Sequence, residues 1–175
     1  MNKKIRWITE TAVLIALLVI LQTATKAGGQ FVTGSCVNGV LAVAALMGGL
    51  WCGVTVALVS PFAAFLLGIG PQLLPVVPAI AVGNVVFVVV LYLAAGKGSP
   101  AIWRKAIAWL AAAFCKFAGL YLLVVQVLCR VLTLPEKQVA TLTAMFSWPQ
   151  LVTALIGGGI ALLLTPVLRK ALHRL

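Results

Sequence analysis

The stretch FVTGSCVNGVLAVAALMGGLWCGVTVALVSPFAAFLLG, residues 31–68, decides the architecture. It is apolar almost throughout, yet almost twice the length of about 20 residues that a helix needs to cross the hydrocarbon layer of a bilayer. The pair Gly48-Gly49 falls near its middle, and glycine permits the tight turn that two successive helices would need there. The stretch is therefore expected to form two short spans, 31–48 and 50–68, rather than one long one.

Working outward from this pair, four more apolar segments stand out: 5–25, 74–95, 107–128 and 138–164. The expectation is an all-α integral membrane protein of six transmembrane helices, a single domain over 1–175 with short connections. The chain is 63% hydrophobic and 9% charged, with a mean hydropathy of +1.20. A water-soluble domain of this size does not carry that composition. The N-terminal Met-Asn-Lys-Lys-Ile-Arg followed by an apolar run looks like a signal peptide, but no small-residue cleavage pattern precedes a polar region, so it reads as the first span. Cys36, Cys52, Cys115 and Cys129 all lie in apolar segments without CxxC spacing, which suggests packing rather than disulfides or a metal site.

The net charge of +11 is distributed as a membrane topology rather than as a nucleic-acid-binding patch. Lys3, Lys4 and Arg6 precede the first span, Lys97, Arg104 and Lys105 fall between the fourth and fifth, and Arg169, Lys170 and Arg174 follow the last. An even number of spans puts all of them on one side. The other side receives Lys26, Arg130 and Lys137 with Glu136, so both termini are expected in the cytoplasm. Trp7, Trp51 and Trp103 sit near span ends as interface anchors do, whereas Trp148 reads as internal to the sixth span.

Most catalytic chemistry lacks its parts. The carboxylate side chains are Glu10 and Glu136, both near span ends, and the single histidine, His173, is in the C-terminal tail. Paired-carboxylate and histidine-based catalysis are unsupported, and no acidic relay for ion-coupled transport lies at mid-membrane. Gly96-Lys97-Gly98-Ser99 resembles the end of a phosphate-binding loop, but position 91, where that motif needs glycine, is Leu91. No cofactor and no metal is expected. Uphill transport by this chain would have to draw energy from another polypeptide.

Polar residues inside apolar spans are costly, so each needs a reason. Lys116 falls mid-span with no carboxylate at its depth; it either meets an anionic group of a ligand or is held by carbonyls and water. Asn84 either reads a ligand or bridges helices. Trp148 and Gln150 flank Pro149, where a kink would open a cavity and offer an aromatic face to a planar ligand, or where the ring simply packs. Gln126 and Arg130 share one helix face, Arg130 reading as an interfacial anchor. The segment Lys26-Ala27-Gly28-Gly29-Gln30, followed by Thr33, Gly34, Ser35 and Asn38, is a lid or merely a turn. Close helix approach is allowed by Ala12 with Ala16 and by Gly49 with Gly53.

These features together resemble the S components of energy-coupling factor (ECF) transporters. The resemblance rests on six spans with basic ends, Ala12-x-x-x-Ala16, Gly-Gly-Gln-Phe-Val-Thr-Gly-Ser at 28–35, Ser-Pro-Phe-Ala-Ala-Phe-Leu-Leu-Gly-Ile-Gly-Pro from Ser60 to Pro71, and Pro78 to Asn84. It implies a small-molecule, vitamin-like substrate captured in the external half of a multi-pass protein of a bacterial cell membrane. Lys116, Asn84, Trp148, Gln150, Asn38 and Gln126 are the candidate substrate contacts. It also implies as partners a transmembrane coupling protein, docked on Ala12 and Ala16, and two cytoplasmic ATPases. A lysine contact favours an anionic nutrient. The alternative is a self-contained facilitator or channel, which would need a polar path through both halves of the bundle.

Overall fold

The structure, a computed structural model, describes residues 2–96 and 101–172, and every regular element among them is helical. The first helix, α1, spans Lys3–Ala24, started by the Asn2 side chain, which accepts a hydrogen bond from the Lys4 amide at 3.1 Å. A short turn at Lys26–Gly28 leads into α2, Gly29–Val43, which widens into a π-helical turn at Ala44–Gly48. Gly49, at φ 86°, then reverses the chain into α3, Leu50–Leu66. The expected break in 31–68 is where the glycine pair puts it, because this backbone conformation is closed to residues with a Cβ.

After an irregular connection, α4 spans Val76–Ala95. The next helix, α5, covers Ile102–Leu120 and continues through a π-helical segment, Tyr121–Leu128, and a last turn, Cys129–Val131. The final segment departs from expectation. It is divided into α6, Glu136–Met145, and α7, Trp148–Leu172, with the break at residues 146–147. Pro149 accordingly lies in the first turn of α7, where its missing N–H interrupts nothing, and makes no mid-helix kink.

Among the described residues, five stretches are long and apolar enough to cross a membrane: Lys4–Ala24, Lys26–Gly48, Val76–Ala95, Ile102–Val131 and Glu136–Ala171, with Leu50–Leu66 a shorter apolar helix. The packing is that of a chain solvated by lipid. Small residues fill the centre: Ala42, Ala44, Ala45, Ala57, Ala108, Ala112, Ala113 and Ala154 are buried, while Leu66, Leu163, Trp51 and Trp103 project outward. Without a hydrophobic driving force between helices, close backbone approach and dispersion hold the bundle. The closest approach joins α2 and α7, where Gly157 faces Ser35, Asn38 and Gly39. Gly158 and Gly159 receive the Trp109 ring, whose indole N–H donates to the Ala154 carbonyl at 3.2 Å.

Basic residues serve the helix ends. Arg169 donates to the Leu46 carbonyl at 2.8 Å and Arg104 to the Ala94 carbonyl at 3.1 Å, satisfying C-terminal carbonyls at the end of the bundle that also holds the start of α1. Trp7, Trp51 and Trp103 mark the same end. Lys97, the Gly96–Ser99 loop beyond Gly96, His173 and Arg174 lie outside the described residues. All four cysteines are free thiols.

Candidate functional site

At the end of the bundle away from the termini, seven helices leave a cavity of about 240 Å³. Its walls come from the last turns of α1, the start of α2, the second half of α3, the start of α4, Lys116 of α5, and the junction of α6 with α7. Phe65, Ile69, Val77, Ile80 and Phe146 give an apolar lining, and Gln22, Gln30, Thr33, Asn38, Ser60, Asn84, Lys116 and Gln150, with the exposed Lys26, supply the polar groups. No carboxylate side chain lines it.

Lys116 sits at its centre of charge and is only 3% exposed. Its ammonium donates to the Asn38 side-chain oxygen at 2.6 Å and to that of Asn84 at 2.7 Å, with the Phe87 ring centroid 5.7 Å away. The reading that left the lysine to carbonyls and water, or to a ligand alone, thus missed a third arrangement: two side-chain amides from different helices. Each amide is turned oxygen-first by its own outer partner. Asn38 donates to the Thr153 hydroxyl at 3.2 Å, and that hydroxyl donates to the Gln150 carbonyl at 3.2 Å. Asn84 donates to the Ser60 hydroxyl at 3.5 Å. The network ties α2, α3, α4, α5 and α7 through one cation, and uses two of its three N–H groups.

Chemically, a buried ammonium with two neutral acceptors is solvated but not neutralised. Amide dipoles lower the cost of burying the charge, while an anion brought to the remaining N–H gains a charge-assisted hydrogen bond in a low-dielectric site.

Four of the six candidate contacts, Asn38, Asn84, Lys116 and Gln150, meet around this cavity. The other two do not. Trp148 stands 60% exposed at the start of α7 with its ring 5.4 Å from that of Phe31, since the helix break at 146–147 puts it at the rim of the bundle. Gln126 donates to the Tyr121 hydroxyl at 3.2 Å and accepts from Arg130, held on the outer π-helical turn of α5. Neither lines the cavity. Ala12 and Ala16 lie together on an exposed face of α1.

The sequence model of one family, described as the ECF transporter substrate-specific component, matches residues 6–169. The chain belongs to that family. Comparison with curated proteins and with solved structures gives no match.

As an ECF transporter substrate-specific component, the protein is a multi-pass membrane protein and a substrate-binding subunit rather than an enzyme. Several residues that build its cavity escaped the sequence reading. Gln30 and Gln150 both donate to the Met145 carbonyl, at 2.5 and 3.1 Å, joining the start of α2 to the break between α6 and α7. Gln150 is among the candidate contacts of the sequence; Gln30 is not, because a glutamine at a span end resembles any interfacial residue. Thr153 and Ser60, which aim the asparagines, carry short hydroxyls that normally bond within their own helix. Gln22, near the end of α1, was passed over for the same reason as Gln30.

Proposed function

We propose that this chain captures a small nutrient bearing a carboxylate or phosphate, with Lys116 as the contact for the negative charge and Asn38, Asn84 and Gln150 as neighbours of the bound molecule. One observation carries the reading: a buried lysine, its amine held by two amide oxygens, lines a cavity without an acidic side chain. Six spans with both termini in the cytoplasm of a bacterial cell agree with the side-by-side basic ends and would put the cavity on the external side. The five long apolar stretches and the shorter Leu50–Leu66 are compatible with that count. Energy comes from a separate transmembrane coupling protein and two cytoplasmic ATPases, the exposed Ala12 and Ala16 giving the coupling protein a face of close approach.

A self-contained facilitator is disfavoured by the interior beyond the cavity. There Leu18, Leu41, Ala45, Val56, Leu91 and Ala108 pack together, and the hydroxyls of Thr11 and Thr165 turn back to carbonyls of their own helices. The test is native mass spectrometry of the detergent-purified protein from cells grown in rich medium, with Lys116→Met in parallel. The expected result is a co-purified acidic small molecule that the variant loses. A consistently empty protein that conducts solute in liposomes without ATPase partners would replace the proposal with the facilitator.

A further inference from the structure

Among the described residues, one buried side-chain polar atom has no hydrogen-bond partner: the side-chain oxygen of Gln22. Gln22 is 4% exposed and lines the cavity. Buried polar groups are almost always satisfied, and an orphan in a native protein calls for an explanation. Other polar groups around the cavity donate to oxygens within the bundle. Thr33 donates to the Thr25 carbonyl at 2.9 Å, Gln30 and Gln150 to that of Met145, Lys26 to that of Leu67 at 3.4 Å, and Asn38 and Asn84 are held between Lys116 and two hydroxyls. Of the described residues that line the cavity, Gln22 is the one whose side-chain oxygen is both closed off from solvent and without a partner.

We infer that Gln22 is a ligand-binding residue whose side-chain oxygen accepts a hydrogen bond from the ligand, so that the ligand is a carboxylate carrying an N–H or O–H donor elsewhere on its body. This rests on the proposal that Lys116 holds the ligand's negative charge. A carboxylate suits the site better than a phosphate: a single deep cation with one N–H to spare matches one negative charge and one acceptor. The apolar wall of Phe65, Ile69, Val77, Ile80 and Phe146 then takes the hydrocarbon part of the molecule. Selectivity follows from the same orphan. A carboxylate with a donor pairs the Gln22 oxygen, and one without a donor forgoes that gain, so the donor-bearing molecule is preferred.

The experiment is calorimetric titration of the detergent-purified full chain with four carboxylates. Biotin and pantothenate carry N–H or O–H donors, and lipoate and nicotinate carry none. The expected result is that a donor-bearing compound binds at least about tenfold more tightly than either of the others. Gln22→Leu and Gln22→Met, each checked for an unchanged melting profile, should weaken that compound about three- to tenfold, and Lys116→Met should abolish binding. Equal affinity for lipoate or nicotinate, or wild-type affinity in both folded Gln22 variants, with Lys116→Met still inactive, overturns the role of Gln22 and leaves the anion proposal intact. Full affinity in Lys116→Met, or no response to any of the four, overturns the anion proposal itself.

Discussion

Replacing Gly157 by alanine adds one methyl group at the closest approach of α2 and α7. A Cβ there would stand 2.6 Å from the Gly39 nitrogen and 2.9 Å from the Asn38 Cβ, and nearer still to the Ser35 carbonyl oxygen, where ordinary contact begins at 3.4 Å. Two of these three are backbone atoms, which no rotamer change can withdraw. The shortfall at Gly39 alone is about 0.8 Å, so the helices must separate by roughly 1 Å, and overpacking of this kind costs about 1 to 3 kcal/mol. The separation falls one turn from the Asn38–Thr153 hydrogen bond, already 3.2 Å long. Stretched by a further ~1 Å, that bond is lost, and the amide that steadies Lys116 swings free. We expect Gly157→Ala to lower the melting temperature by about 3 to 10 °C, the shift that such a cost produces in a chain of this size, and to weaken ligand binding with it. Intrinsic-fluorescence melting of the purified protein in detergent measures the first effect. Gly119→Ala is the control, since a Cβ there meets nothing within 4 Å. If Gly157→Ala melts with the wild type, α2 and α7 do not touch as described, and the argument fails.

Lys116→Met should cost at least about tenfold in ligand affinity, the value of one charged hydrogen bond. Its unliganded melting temperature should move little, because two lost hydrogen bonds are offset by removing a charge that is expensive to bury; a folded variant with full affinity in calorimetry contradicts this. Trp148→Ala should leave ligand affinity within about twofold, as befits a ring outside the cavity, where a buried aromatic contact would be worth far more; a tenfold loss returns Trp148 to the site. Gln30→Ala removes one of the two amides on the Met145 carbonyl and should speed amide hydrogen exchange around residues 145–148 by about three- to tenfold. Unchanged exchange would mean that the bond does not hold the junction.

Much of this was legible in the chain because lipid imposes simple rules. The Gly48-Gly49 break and the helical segments flanking it follow from the length an apolar helix needs and from the one residue that tolerates the turn. Lys116 and Asn84 were legible as polar exceptions in apolar surroundings, and Asn38 as a polar residue following the glycine-rich segment. What the residues hide is the facing of one helix on another. Nothing local says that Asn38 and Asn84, 46 positions apart, point their oxygens at the same ammonium. The break at residues 146–147 is hidden too, since Phe146-Ser147 is not a strong breaker and Pro149 suits a helix start as well as a kink. The exposed position of Trp148 follows from that break. Gln22 went unnoticed because its significance is an unmet hydrogen bond, visible only when every neighbour has been placed.

The length of α3 bears on the surroundings as well as on the fold. Its 17 residues rise about 25 Å at 1.5 Å each, short of the roughly 30 Å of hydrocarbon in a typical bilayer. The stretches beside it, Lys4–Ala24 and Val76–Ala95, have 21 and 20 residues. Along this flank the lipid has to thin, or Leu67 and Leu74, both exposed beyond the helix, have to occupy the missing depth. The perimeter of the protein is thus uneven in height, and acyl-chain length becomes a variable of its stability: shorter-chained lipids meet α3 without deformation, and longer ones are strained on that side alone.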